Sequence, residues 1–315
     1  MTKKTTDLFG PVASDLATIE EELRREIDRD PPEVARPMAD LFQAGGKRIR
    51  PALVLLSAMC GSYELDRLIP AAMAVEFTHA ATLVHDDVID RSATRRGRPT
   101  VAAALGDEPA IVIGDFYFAK AYEHAARTHL PQVVDILART VMSICAGEVG
   151  QQAIRYRYGT NVEEYMQRIE AKTAKLLAAC CEIGALLGGL ANPDRAALSA
   201  YGRSLGLAFQ IADDVLDYTG AEGEVGKPIG HDIAEGFATL PLMLSSIKLE
   251  EGQRLDEDDA RRVADAVRNS DGPRLALELA RDHANVARDQ LAKLEPSEAT
   301  SALASLTEYV VSRKL

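Results

Sequence analysis

Residues 70–90 read PAAMAVEFTHAATLVHDDVID, an almost wholly apolar run that closes on Asp86, Asp87 and Asp90. Alanine is frequent, glycine is absent and β-branched residues are scattered, which favours helix over strand. The run is apolar on nearly every side, so the helix it predicts over Pro70–Asp90 is a buried one. A carboxylate is costly to bury unpaired, so something must compensate the aspartates at its end.

The pattern returns as Asp213-Asp214-Val215-Leu216-Asp217, again closing an apolar helix-like run, Leu205–Ala212. Residues four apart share a helix face. Asp86 with Asp90, and Asp213 with Asp217, therefore each make a pair of oxygen ligands. Two such faces opposed across a cavity form a site for a hard divalent cation, Mg²⁺ shared with a phosphate ligand. At about 100° per residue, His79, Asp86 and Asp90 fall within about 40° of one another, so one stripe carries an imidazole and two carboxylates. Gln210, Asp213, Asp214 and Asp217 fall within an arc of about 100° on the second helix. A lone acidic cluster is most simply a solvated patch, and a lone histidine a satisfied core residue. Two aspartate clusters set in apolar helices are not explained that way.

The chain has 315 residues, 47% of them hydrophobic, with only 5% aromatic and no tryptophan, so Ala, Leu, Val and Ile must do most of the packing. Helical periodicity runs throughout, without sustained alternation or a low-complexity linker. An all-α fold with residues 1–315 as a single domain is expected. The formal net charge of −12 argues against a nucleic-acid partner. Met1–Asp7 is polar, and no run of about 18 apolar residues lacks a charge, so no membrane insertion and a cytoplasmic location are expected. Cys60, Cys145, Cys180 and Cys181 lack zinc spacing and read as small buried hydrophobes in a reducing compartment.

Further helices are predicted over 12–29, 32–43, 51–60, 109–129, 132–153, 162–190, 194–218, 239–250, 256–269, 274–294 and 297–313. Arg91–Pro99 and the glycine-rich Tyr218–Gly236 read as loops. Asn161 with Glu164 resembles a helix start, and the acidic run Asp256–Asp259 a solvated helix N-terminus.

Positive charge is clustered too. Gly45-Gly46-Lys47-Arg48-Ile49-Arg50-Pro51 is a glycine-hinged basic turn that leads into a helix. It is not a Walker loop, because no Ser or Thr follows Lys47. Backbone N–H groups, a Lys point charge and an Arg fork suit a phosphate bound without metal. Arg95-Arg96-Gly97-Arg98, Lys172-Thr173 and Gly226-Lys227-Pro228 add more. With the paired carboxylates they suggest two anion sites, one metal-bridged and one built from Arg and Lys.

Seven segments, in order, carry a family resemblance: GGKRIRP (45–51), EFTHAATLVHDDVID (76–90), RRGRPT (95–100), GDFYFAKA (114–121), AKTAKL (171–176), FQIADDVLDYTG (209–220) and GKPIGHD (226–232). The chain resembles the trans-isoprenyl diphosphate synthases, or polyprenyl synthetases, over nearly its whole length. The resemblance implies the isoprenoid synthase fold, a single-domain helical bundle around a central deep cavity. It also implies a homodimer that condenses isopentenyl diphosphate with an allylic diphosphate by Mg²⁺-assisted ionisation. Asp86, Asp90 and Asp213 then resemble direct Mg²⁺ ligands, with Asp87, Asp214 and Asp217 supporting them or acting through water. Arg95, Lys172, Thr173, Gln210 and Lys227 resemble allylic diphosphate contacts. Lys47, Arg50, His79 and Arg96 resemble the metal-free isopentenyl diphosphate site.

In the family, bulky aromatics four and five residues before the first aspartate give short products. Thr82 and Ala81 stand there, with small Thr78 and Ala74 one and two turns further, so a product of C20 or longer is expected. Phe118 or Tyr122 would form the tunnel floor. One residue departs from the family pattern: Phe237 stands where lysine is usual, removing an expected diphosphate contact. That raises the alternative of a non-catalytic or partner-dependent subunit of a heteromeric synthase. A class I terpene cyclase is a lesser alternative, since it normally pairs one aspartate motif with a different metal motif.

Overall fold

The structure, a computed structural model, describes residues 8–159, 161–220 and 229–312. Its elements are α1 (Ala13–Asp28), α2 (Pro32–Gln43), α3 (Ile49–Met59), α4 (Leu65–Ile89), β1 (Thr94–Arg95), β2 (Arg98–Pro99), α5 (Val101–Leu105), α6 (Asp107–Ala126), α7 (Pro131–Ala153) and α8 (Val162–Ile169). A π-helical turn, Glu170–Ala174, joins α8 to α9 (Lys175–Leu187). Then come α10 (Asn192–Thr219), α11 (His231–Ala234), α12 (Leu240–Met243), α13 (Glu257–Arg268), α14 (Gly272–Leu291) and α15 (Glu298–Ser312). The fold is all-α, as expected. No described helix is long and apolar enough to cross a membrane.

The chain divides into two compact units. The first holds Met1–Val141, Ala179–Ser199 and Leu294–Leu303. Its centre is α4, packed along α6 and against α3. Leu53, Leu55, Leu56, Phe77, Ala81 and Val84 are wholly enclosed there. At about 2 kcal/mol for each large apolar side chain, this burial is the main force holding α4 in place. The second unit holds Met142–Ala178, Ala200–Lys293 and Ala304–Leu315. Its core joins Tyr165 and Ile169 to Leu207, Ile211 and Val215, with Leu240 and Ala276.

The departures from the expected elements have physical causes. Helix α4 begins before Pro70, which lies inside it. Proline removes one backbone hydrogen bond there, and burial of the surrounding face outweighs that cost. The expected loop 91–99 contains a hairpin pairing Thr94 with Pro99 and Arg95 with Arg98. Its turn residues Arg96 and Gly97 both have positive φ, 51° and 76°, the geometry that matches the twist of a two-residue hairpin. Helix 162–190 is interrupted by the π turn. Helix 239–250 shrinks to Leu240–Met243, because Ser245 Oγ bonds the Leu242 carbonyl and accepts from Ile247 N–H, competing with helical pairing. Both expected helix starts are present: Asn161 Oδ1 accepts from Glu164 N–H and Asp256 Oδ1 from Asp259 N–H, each at 2.8 Å. Cys180 and Cys181 are buried, whereas Cys145 is exposed on α7, contrary to the expectation of a buried thiol.

Candidate functional site

In the first unit the acidic motif occupies the last turn of α4, with Asp90 as the C-cap. The Asp90 N–H donates to the Asp86 carbonyl at 2.8 Å. Negative charge is disfavoured at a helix C-terminus, and this last turn holds no basic residue. Asp86 and Asp90 are half-buried, while Asp87 is only 2% exposed. Asp87 is compensated by Arg95, whose Nε lies 3.0 Å from Oδ1 and 3.1 Å from Oδ2, with Nη2 2.8 Å from Oδ1. The hairpin therefore delivers a two-pronged guanidinium to the aspartate that points inward.

The basic turn comes to the same unit. Arg48 is the N-cap of α3 with φ 51°. It turns inward, donating to Glu76 at 2.7 Å, Glu20 at 3.2 Å and the Phe42 carbonyl at 3.2 Å. That bend separates Lys47, which is exposed, from Arg50, which is half-buried. His79, two turns before Asp86 on α4, is half-buried and held well below its ordinary pKa. Burial is the main cause, followed by the charges of Arg50, Arg96, Arg95 and Arg48. His79 is thus a neutral imidazole among guanidiniums, a surrounding that repels cations and suits a polyanion.

In the second unit the π turn places Lys172 and Thr173 against α7 and α10. Lys172 Nζ is 2.9 Å from Glu148 Oε2. Thr173 Oγ1 donates to Gln210 Oε1, Gln210 Nε2 donates to Asp214 Oδ1, and Tyr165 Oη donates to Asp214 Oδ2, each at 2.7 Å. The turn approaches α10 so closely that a Cβ at Gly206 would lie 2.5 Å from Ala174 Cα. Asp214 and Asp217 are buried and Asp213 is half-buried. Burial, and then the charge of Asp232, push the Asp214 carboxyl up to about 7. Asp217 Oδ2 also lies 3.4 Å from the Asp232 backbone N–H. Crowded carboxylates of this kind are a donor set for a hard divalent cation. Among the described residues no three His, Cys, Asp or Glu side chains gather closely enough to hold an ion by themselves. Lys227 lies outside the described residues.

Ala74, Thr78 and Ala81 are fully enclosed, and Thr82 is half-buried. Phe118 packs on His85 at 5.6 Å between ring centroids. Phe237 is buried, with the Arg155 guanidinium 5.8 Å from its ring centre. Arg155 in turn pairs with Glu235.

Sequence reasoning missed Tyr165, Glu76, Glu148 and Asp232. Glu76 had a signal: a lone carboxylate in an apolar helix must have a partner. Tyr165 had none, since a tyrosine on an amphipathic helix reads as ordinary core.

The polyprenyl synthetase family profile matches residues 31–303. Component 2 of the heptaprenyl diphosphate synthase of Geobacillus stearothermophilus is 37% identical over 98% of this chain and 99% of its own length. A short chain isoprenyl diphosphate synthase of Methanothermobacter thermautotrophicus is 36% identical over 94% of this chain and 95% of its own. The crystal structure of a polyprenyl synthase from Caulobacter crescentus, complexed with calcium and isoprenyl diphosphate, superposes with TM-score 0.91 at 35% identity, covering 99% of this chain and 98% of that one. By its profile match, its relatives and its all-α isoprenoid synthase fold, the chain belongs to the polyprenyl synthetase family and is a prenyltransferase.

Proposed function

We propose that the chain condenses isopentenyl diphosphate with an allylic diphosphate, using Mg²⁺, to give an all-trans polyprenyl diphosphate of C20 or longer. The observation that carries this is on one helix. Asp86 begins a half-buried carboxylate pair, and His79, seven residues before it and about 10 Å along the axis, feels the charges of Arg50, Arg96, Arg95 and Arg48. The two anion sites so formed have opposite chemistry, one suited to metal and one not, at a spacing that suits two substrates side by side.

Asp86, Asp90 and Asp213 would hold the metal, with Asp87, Asp214 and Asp217 in support; a divalent metal is a family property. When bound, Mg²⁺ supplies positive charge to the diphosphate oxygens. Lys172, Thr173, Gln210, Arg95 and Lys227 orient that diphosphate and balance the charge that grows on it as the allylic C–O bond breaks. The bonding pair leaves with the diphosphate oxygen. Lys47, Arg50, His79 and Arg96 hold isopentenyl diphosphate, whose C=C pair forms the new C–C bond. A proton then leaves the new unit, and by family resemblance the departed diphosphate takes it. The site must exclude water that would quench the carbocation. Thr82, being half-buried, is the better tunnel-wall residue; Ala81 and Thr78 would widen the tunnel only by being small.

We read residues 1–315 as a single polyprenyl synthetase domain, since the family profile spans both units, and infer a homodimer from the family resemblance alone. A cytoplasmic setting accords with four free thiols. A second reading, a partner-dependent subunit, is favoured by Phe237 and by the "component 2" relative. The test is the purified chain alone with Mg²⁺, radiolabelled isopentenyl diphosphate and C10, C15 or C20 allylic primers, with products resolved by chromatography. Turnover to C20 or longer is expected. No turnover with any primer would favour the subunit reading, and products stopping at C15 would overturn the chain length.

A further inference from the structure

One residue beside the acidic motif takes no part in the proposed chemistry. His85 immediately precedes Asp86, and its side chain points away from the carboxylates toward α6. Its Nε2 is 3.0 Å from the Ile111 carbonyl oxygen. A carbonyl only accepts, so Nε2 carries the hydrogen. The ring lies on the backbone of Gly114. A Cβ there would sit 2.1 Å from Nε2, 2.3 Å from Cδ2 and 3.0 Å from Cε1, so no side chain other than hydrogen leaves room for this imidazole. Phe118 borders the ring at 5.6 Å, and Asp115 Oδ1 lies 3.7 Å from Nε2.

The notch matters because His85 leads directly into the aspartates. Asp86, Asp87 and Asp90 crowd the C-terminal turn of α4, where their charge opposes the helix dipole. Helix ends fray, and a side chain anchored on a neighbouring helix opposes that. Asp87 is held by Arg95. The Ser92 N–H caps the Asp87 carbonyl at 2.9 Å, and the His85 ring seated in the Gly114 notch holds the turn from the side of α6.

We propose that His85 is a positioning residue: seated against Gly114 and bonded to the Ile111 carbonyl, it fixes the rotation of the last turn of α4 and thereby aims Asp86 and Asp90 at the metal. The proposal deepens the metal–diphosphate reading and rests on it for the word "metal"; the ordering of the turn does not depend on that reading.

Four proteins test it: wild type, His85→Ala, His85→Gln and Gly114→Ala. Glutamine can place its amide N–H where Nε2 stands, so it is the conservative rescue. Amide hydrogen exchange across residues 84–92 is measured first, without metal. Exchange in His85→Ala and Gly114→Ala should quicken about tenfold, with His85→Gln near wild type. The second readout is the Mg²⁺ concentration for half-maximal turnover, which should rise about tenfold in the two disruptive variants and less than about threefold in His85→Gln. The KM for isopentenyl diphosphate should stay within about twofold of wild type. Unchanged exchange in both disruptive variants overturns the clamp. Faster exchange with an unshifted Mg²⁺ dependence overturns the aiming role. If Gly114→Ala does not fold, His85→Ala and His85→Gln decide alone. Loss of turnover in wild type would instead count against the proposed function, and the exchange data would still judge the clamp.

Discussion

Asp86 and Asp213 stand at corresponding places in the two motifs, and both are half-buried where their inner neighbours Asp87 and Asp214 are enclosed. Asn has almost the same shape but no charge. Asp86→Asn and Asp213→Asn should each lower kcat roughly 10²–10³-fold with unchanged circular dichroism, as befits loss of transition-state charge stabilisation. Turnover near wild type in either would remove that residue from the metal site. The proposed chain length is tested at the same scale. Ala81 is fully enclosed, so Ala81→Phe should both shorten the product and cost about 1–3 kcal/mol by overpacking, whereas Thr82→Phe should shorten it with a smaller loss of melting temperature. Chromatography and thermal melts on both variants separate these effects.

His124 supplies a residue-scale pH effect away from the site. Its side chain is 3% exposed and stacks on Phe77, with Nε2 3.6 Å from Glu26 Oε1. Burial, then Arg127, lower its pKa from 6.5 to about 4. The fold therefore holds it neutral while the unfolded chain protonates it. Its contribution to stability is complete above pH 6.5 and is lost as pH falls through about 4. The melting temperature of wild type should drop more steeply between those values than that of His124→Leu. Parallel curves would show that the ring titrates alike in both states.

Among the elements, the π turn Glu170–Ala174 carries two of the proposed diphosphate contacts. It sets Lys172 toward Glu148 and Thr173 toward Gln210, which a continuous α-helix would place differently. Gly206 on α10 makes room for it. Gly206→Ala should lower stability by about 1–3 kcal/mol and raise the KM for the allylic diphosphate more than that for isopentenyl diphosphate. Equal changes in both constants would mean the turn serves packing alone. The sequence announced α4 and α10 because long apolar helices with aspartates at their ends are hard to misread. It was silent on the π turn, since AKTAKL carries an ordinary helical pattern and the extra residue is imposed by packing at Gly206. The hairpin at Arg95-Arg96-Gly97-Arg98 was hidden for another reason: two-residue strands are too short to show alternation. The pairing of Arg95 with Asp87 depends on that hairpin, so it could not be read from spacing. By contrast, His79 with Asp86 and Asp90 was legible, because helix geometry alone fixes their common stripe.

At the scale of the whole molecule, a net charge of −12 coexists with a local patch of Arg48, Arg50, Arg95 and Arg96 around His79. Arg48 and Arg95 are paired with carboxylates, so under the proposed function Arg50 and Arg96 carry the attraction for a diphosphate, and that attraction should weaken with salt. The two aspartate motifs belong to different compact units, and the proposed activity requires both to serve one diphosphate. That requirement is tested most directly by crystals soaked with Mn²⁺ in place of Mg²⁺ and a non-hydrolysable allylic thiodiphosphate, with the metal located by anomalous scattering. Metal density is expected within about 2.3 Å of oxygens from Asp86, Asp90 and Asp213, bridged by the diphosphate. Metal density elsewhere, with those carboxylates turned into bulk solvent, would contradict the shared site.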